Sequence, residues 1–336
     1  MSRLYDVLAA GSLGDAIGYQ VEFMTWQSIQ TMHGIYGVQG LSDRPQATDD
    51  TQMMLFVTEG LINAIDEVDR VTGVAFAEPD KPMVSDFTEH TSKTLDDWYS
   101  TQENQPIPTS MFKHSPELMN RRAPGMTCLA SLKEAREGGC FGNFAANNSK
   151  GCGAVMRAAP YAFLKGYTPS EIWEIAAEGG RLTHGHKEGW GSGSALAYLL
   201  HRMLLGEGID DAVTFTIEES LRNGLDTTPS MMKTAAHLAK HPKVLGPMQI
   251  QHHLGEGWTG DEALAIGLYA ALRGKTVFEA ILIATNHSGD SDSTAMIAGH
   301  ISAMIHGLTE GERRMIGQVD LAAAVIKAAE KFESVL

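Results

Sequence analysis

Apolar residues return every three or four positions along most of the chain, the spacing that lines them up on one face of an α-helix. The pattern predicts helices over Leu4 to Ile17, Thr51 to Ile65, Ser170 to Gly179, Gly193 to Leu205, Asp211 to Leu221, Glu262 to Leu272, Thr294 to Ile305 and Leu321 to Phe332. Strand-like alternation is scarce. Helix stop and start residues fall between the periodic stretches, as in Gly206-Glu207-Gly208 and Gly274-Lys275-Thr276. The expected fold class is all-α, many short helices in a single domain over 1–336. One stretch interrupts the pattern. Pro106, Pro108, Pro116 and Pro124 deny regular structure to Ser100 through Gly125, and a loop of that length inside a compact domain is expected to be a functional loop or lid.

Composition narrows the class. With 336 residues and 43% hydrophobic content the chain can bury a large core, and a formal net charge of -15 excludes an extended electrostatic grip on nucleic acid. Cys128, Cys140 and Cys152 form no CxxC or Cys/His pattern of the kind zinc requires, so reduced thiols in a cytoplasmic protein are expected. Gly and Asp interrupt the mildly apolar N-terminus before it becomes a signal-peptide core. Apolar runs stay shorter than the ~18 residues of a membrane span, so no membrane partner is expected.

Two acidic clusters stand out, Thr48-Asp49-Asp50-Thr51 and Asp290-Ser291-Asp292-Ser293, each directly before an apolar helical run. Either can be a helix N-terminus, where short oxygen-bearing side chains satisfy unpaired backbone N–H groups and negative charge suits the helix dipole. One capping residue suffices for that, and each cluster has carboxylates to spare. Paired carboxylates beside a hydroxyl are also hard oxygen ligands, suited to magnesium, calcium or manganese. If the clusters met without cations, mutual repulsion would raise their pKa values; two divalent ions would balance four negative charges. Spacing alone leaves capping and a shared metal site both open.

Further motifs change that balance. Gly14-Asp15-Ala16-Ile17-Gly18 with Val21-Glu22-Phe23, then the Thr48 cluster, then Ser149-Lys150-Gly151-Cys152-Gly153-Ala154-Val155-Met156-Arg157, then Thr183-His184-Gly185-His186, then Ser288-Gly289 with the Asp290 cluster follow one another along the chain. In this order they resemble the ADP-ribosylglycohydrolase family, which includes hydrolases that release ADP-ribose from arginine and the enzyme that reactivates dinitrogenase reductase. The resemblance implies an orthogonal all-α bundle and two magnesium ions, or manganese, held by Thr48, Asp49, Asp50, Asp290, Asp292 and Ser293. Ser293 stands where many relatives have Thr, and either supplies a hydroxyl.

The same resemblance assigns further roles. Glu22 would lie near the metals and, with Asp49 and Asp292, is a candidate to move a proton. Ser149, Gly151, Gly153, Met156 and His184 would cradle ADP-ribose, and Gly125 would form a turn beside it. Glycines without a Cβ let backbone N–H groups approach a phosphate or ribose closely; otherwise Gly151 to Gly153 is a tight turn before a helix from Ala154 to Ala159. His184 is expected to hydrogen-bond rather than ligate, since the implied metals prefer oxygen, and His186 to support its loop. Arg157 is expected in a buried ion pair or at the ligand. Trp190 is expected in the core or stacked on a base, and His252-His253 and Arg121-Arg122 as solvated patches. Relatives often carry Pro where this chain has Lys187.

The implied reaction is magnesium-dependent hydrolysis of the N-glycosidic bond of an ADP-ribosylated protein, most directly ADP-ribosyl-arginine, with release of ADP-ribose. Serine-linked or small-molecule ADP-ribose is an alternative substrate. A non-catalytic ADP-ribose-binding or toxin-immunity protein is the alternative from another class, and its expected mark, degraded acidic motifs, is missing from this sequence.

Overall fold

The computed structural model describes residues 2–72, 81–139 and 142–336, so Cys140 lies outside the described residues. The helices are α1 (Arg3–Gly18), α2 (Trp26–His33), α3 (Asp49–Thr72), α4 (Val84–Gln102), α5 (Met126–Gly138), α6 (Pro169–Arg181), α7 (Lys187–Leu204), α8 (Ile209–Arg222), α9 (Thr227–Ala239), α10 (Pro247–Leu254), α11 (Gly260–Arg273), α12 (Val277–Thr285), α13 (Ser291–His306), α14 (Glu310–Ile316) and α15 (Ala322–Val335). Among the described residues there is no strand, only an isolated bridge between Gly151 and Thr259. The all-α expectation holds.

At the centre lie α1 and α13, both buried on nearly every side. A helix apolar all round belongs inside a bundle. Their contact depends on small residues: a Cβ on Gly14 would sit 2.2 Å from the Ala295 carbonyl oxygen, and one on Gly18 2.2 Å from that of Ser291. The two backbones therefore touch, and the C-terminal end of α1 lies against the first turn of α13. One continuous apolar cluster runs through the bundle from Leu4 to Phe332, with α3 and α15 packed beside α1, and α7 and α11 on the other flank of α13.

All the expected helices form, generally a residue or more longer than the periodicity indicated, so that α3 and α13 take their acidic residues into the first turn. The pattern gave no sign of α2, α4, α5, α9, α10, α12 or α14. In α4 the buried face carries Thr88, Thr91, Ser92 and Thr94 beside Phe87, Leu95 and Trp98, so an apolar stripe is hard to read; the threonines fit because α3 presents Gly60 to them, where a Cβ would lie 2.7 Å from Thr91 Cα. α12 is an apolar run too short for its period to distinguish helix from strand.

Two local expectations need correction. Residues 154–159 do not form an α-helix; 3-10 turns at Cys152–Ala154 and Ala159–Phe163 replace it. Ser100 to Gln102 are the last turn of α4, so the irregular stretch begins later than expected; beyond them it packs as a strap. Ile107, Phe112 and Leu118 are buried in it. Glu59 of α3 accepts from Ser110 Oγ and Met111 N, and Gln52 Nε2 donates to the Leu118 and Asn120 carbonyls. Arg122 is likewise no solvated patch: it donates to the Ala47 and Glu117 carbonyls and pairs with Asp320 at 2.7 Å.

Candidate active site

The N-terminus of α3 is fixed by a residue from another helix. Asp15, fully buried in α1, accepts from the backbone N–H groups of Thr48 and Thr51 and from Thr51 Oγ1. A carboxylate in that position satisfies donors that a helix start leaves open and locks the direction of the first turn. Thr48 Oγ1 accepts from Asp50 N at 3.2 Å, so this hydroxyl also caps α3. At the start of α13, Asp290 is the N-cap and accepts from Ser293 N. The capping reading is thus correct for both clusters.

The fold also joins them. Ser293 Oγ donates to Asp50 Oδ2 at 2.7 Å across 243 positions of sequence. Asp49, Asp50, Asp290 and Asp292, all buried, face one another at the foot of a cleft of about 280 Å³, with Glu22 above them, half-buried and hydrogen-bonded to Asp292. The Glu22 loop is pinned by Phe23 N donating to the Gly289 carbonyl and Gly289 N donating to that of Met24. Gly289 lies at φ 114°, where a Cβ would meet the Glu256 carbonyl oxygen at 2.2 Å, so only glycine fits.

One wall of the cleft is Gly151-Cys152-Gly153, whose turn is closed by Gly151 N donating to Ser149 Oγ. Behind it stands His184, buried and bonded through Nδ1 to Thr183 Oγ1; burial, then the nearby Arg157 charge, depresses its pKa to about 3, which keeps the ring neutral. Arg157 is buried but makes no ion pair among its contacts: it donates to the Gly153 and Gly179 carbonyls and to Thr183 Oγ1, stiffening the wall from behind. Cys152 donates to Asp290 Oδ2 at 2.8 Å, and burial followed by repulsion from Asp290 and Asp50 raises its thiol pKa well above the usual range. The opposite wall is Ala123 to Cys128, anchored by Gly125 N donating to Asp49 Oδ2.

At the mouth, Phe23 and Trp258 stack with centroids 5.3 Å apart and planes 16° from parallel, although both are exposed. Trp258 is brought there by the bridge between Gly151 and Thr259 and by Gly260 N donating to the Lys150 carbonyl. Phe23 at φ 65° and Ala123 at φ 52° both line the cleft. A non-glycine side chain at positive φ carries strain, and strain of this kind gathers at functional sites.

Charge is the cleft's distinguishing property. Burial, then mutual repulsion, pushes the pKa values of Asp50 and Asp292 well above the carboxylate range; Asp49 is raised too, by burial, against the Gly125 hydrogen bond. Glu22 is pushed up to about 8 by burial and by Asp290, Asp49 and Asp15. Among the described residues lining the cleft there is no Lys or Arg. Charges so placed require protons or cations. The donors are hard oxygens, which fits magnesium or manganese. As they stand, no group of three or more His, Cys, Asp or Glu side chains among the described residues is arranged so that it could hold a metal ion; the acids bond one another and accept from Ser293 Oγ and Cys152 Sγ instead.

Of the residues singled out from sequence, Glu22, Asp49, Asp50, Gly125, Gly151, Gly153, Met156, His184, Asp290, Asp292 and Ser293 line the cleft. Thr48 and Ser149 stand one step behind, holding the α3 start and the glycine turn. His186 N-caps α7, accepting from Glu188 N, and Lys187 follows at the first helical position, where a proline would also be tolerated. Trp190 is core, with the Arg181 guanidinium 4.3 Å from its ring. Asp15, Phe23, Cys152 and Trp258 were not assigned roles from sequence. Asp15 sat inside a noted motif; nothing local in sequence marks a lone Trp258 as a rim residue.

Comparison with known proteins gives one family. The model of the ADP-ribosylglycohydrolase family matches residues 1–335. The chain is 22% identical over 317 residues to an uncharacterized protein of Archaeoglobus fulgidus, covering 92% of this chain and 89% of that one. It is 23% identical over 202 residues to the ADP-ribosylarginine hydrolase Tri1 of Pseudomonas putida, covering 58% of this chain and 49% of that protein. A solved structure described as an ADP-ribosylglycohydrolase-related protein complex superposes with a TM-score of 0.65 at 18% identity, over 99% of this chain and 97% of that one, and so shares the fold.

Proposed function

The chain belongs to the ADP-ribosylglycohydrolase family, and on that basis we propose that it releases ADP-ribose from arginine side chains of modified proteins, with magnesium or manganese held by Thr48, Asp49, Asp50, Asp290, Asp292 and Ser293. Glycohydrolysis of ADP-ribosylated substrates is the activity of the family. The observation that supports the finer reading is the convergence of five acids on a cleft with no Lys or Arg among the described residues lining it. Thr48, whose hydroxyl caps α3 through Asp50 N, stands behind the acids and would add a hydroxyl oxygen to them.

When bound, the divalent ions supply charge balance, a hold on the ribose hydroxyls and polarisation at the anomeric carbon. The chain's own residues do the rest. Gly151 and Gly153 offer a surface without side chains to the nucleotide, and neutral His184 hydrogen-bonds without adding charge. Gly125 and the strap hold Asp49 in place. Glu22 is the least buried of the acids and the one that is not at a helix start, so it is the carboxyl group best placed to exchange a proton with the attacking water or the departing guanidinium. Phe23 and Trp258 narrow the mouth and keep bulk water off the reacting bond.

Arginine is favoured over serine by the likeness to an ADP-ribosylarginine hydrolase. The test is release of ADP-ribose from ADP-ribosyl-arginine and ADP-ribosyl-serine in parallel, with magnesium and with chelator. Cleavage of the arginine compound that stops in chelator is expected. Preference for serine would remove the linkage, and full activity in chelator would remove the metal.

A further inference from the structure

Beside the cleft lies a second, apolar groove of about 290 Å³, lined by Trp26, Ile35, Tyr36, Leu245, Ile250 and Ile283 among others. Its edge is built to display apolar side chains. Gly34 at φ 85° ends α2, Gly37 at φ 68° completes the turn with its N–H donating to the Gly34 carbonyl, and Ile35 and Tyr36 occupy the tip, 72% and 74% exposed. The turn is clamped from below, since Val38 N donates to Asn286 Oδ1 and Asn286 Nδ2 donates to the Val38 carbonyl. A fixed backbone that holds two large apolar side chains in water costs free energy unless something covers them.

Groove and cleft are continuous through two chain segments. Phe23 lines the cleft and Trp26 the groove; Asp290 lines the cleft and Asn286 the groove. The segments are tied together by Phe23 N to Gly289 O, Gly289 N to Met24 O and Trp26 N to Ser288 Oγ. Three or four residues of chain span at most roughly 14 Å. A protein that carries ADP-ribose into the cleft therefore has the groove within a few residues' reach of its modified side chain.

We infer that the groove around Ile35 and Tyr36 docks an apolar segment of the modified protein, flanked by basic residues, next to the residue that bears ADP-ribose. The inference rests on the hydrolase reading above. Charge favours a basic flank: the chain carries -15, Glu279 lines the groove, and no Lys or Arg is among the described residues lining the groove or the cleft. The groove recognises the leaving protein, not the sugar, so its effect is absent from substrates without a polypeptide.

The test uses two nine-residue peptides with a central ADP-ribosyl-arginine and one lysine, one with leucines three and four positions away and the other with serines there, plus free ADP-ribosyl-arginine. The unaltered protein should show a KM about 10-fold lower for the leucine peptide, the scale of burying one or two apolar side chains. Ile35→Ser with Tyr36→Ser should erase that difference and leave cleavage of free ADP-ribosyl-arginine unchanged. Equal KM values for the two peptides, or discrimination that survives the double substitution, overturns docking alone. A dimer seen by light scattering that the double substitution splits also overturns it, because a second copy would then own the face. If free ADP-ribosyl-arginine is not cleaved at all, the hydrolase reading falls and docking falls with it.

Discussion

Glu188 and three aspartates of the cleft, Asp49, Asp50 and Asp292, are all buried carboxylates in the first turns of helices, yet their electrostatics are opposite. Glu188, at the start of α7, accepts from the backbone N–H groups of Asp226, Thr227 and Thr228 and from Thr228 Oγ1, and so caps α9. Burial pushes its pKa up, but these donors outweigh burial and bring it to about 2. Asp15 has Thr48 N, Thr51 N and Thr51 Oγ1, and burial leaves it at about 6. Asp50 and Asp292 face like charges and are raised well above the carboxylate range. The fold can satisfy a buried carboxylate where one is needed for structure. It gives Asp49, Asp50 and Asp292 too few donors to offset burial and their like-charged neighbours, and such excess negative charge is what a cation site requires.

Removing a cleft acid should therefore cost activity and spare the fold, the largest effect expected. Asp292→Ala is expected to lower release of ADP-ribose at least about a thousandfold, with a metal-free melting temperature at or above that of the unaltered protein because a repelling charge is gone; Asp290→Ala should lose the same activity but also about 1 kcal/mol of N-cap at α13. A mutant that unfolds would instead place these acids with Glu188, as structural caps. Glu188→Gln should show the reverse: kcat within about twofold, and a loss on the order of 1–2 kcal/mol at pH 7. The sign follows from the depressed pKa. Glu188 contributes stability above its unfolded value near 4.5, and that stability is lost as pH falls toward about 2, so the unaltered and substituted proteins should converge in denaturant melts in acid.

Magnesium provides a third contrast. At a hundredfold excess over its dissociation constant a ligand that binds only the folded state adds about 2.7 kcal/mol. The melting temperature should rise accordingly in the unaltered protein and in Glu188→Gln, and stay flat in Asp50→Asn, as read by calorimetry with and without chelator. A rise in Asp50→Asn of the same size would show the ions binding elsewhere.

How much of this was legible in the sequence follows the same division. Periodicity revealed helices with a clear apolar stripe, such as α6 and α15, and missed those whose burial depends on a partner, such as α4 against Gly60. The acids were legible because two carboxylates beside a hydroxyl at a helix start exceed what capping needs. Their meeting was legible only through the family resemblance and not from spacing, since it is made by the Gly14 and Gly18 contact of α1 with α13 and by Asp15 reaching from α1 to α3. Phe23 and Trp258 are neighbours only because of the Gly289 turn and the bridge at Gly151. Such pairs are properties of the assembled bundle, and no local pattern encodes them.

Glu59 completes the comparison from the structural side and carries the smallest expected effect. It is buried in α3 and holds the strap, but with only Ser110 Oγ and Met111 N donating to it, burial wins and its pKa rises to about 7. A raised carboxyl pKa stabilises below the unfolded value and loses that contribution as pH climbs through the folded one. Stability should thus decline between pH 4.5 and about 7 and level off above. Glu59→Gln removes the charge but keeps one acceptor for two donors, so a gain of only about 1 kcal/mol is expected at pH 8, with the decline between pH 4.5 and 7 flattened. Denaturant melts across this range check it. An unchanged slope would mean that the strap opens before Glu59 ionises, and would return residues 103–125 to the role of a lid.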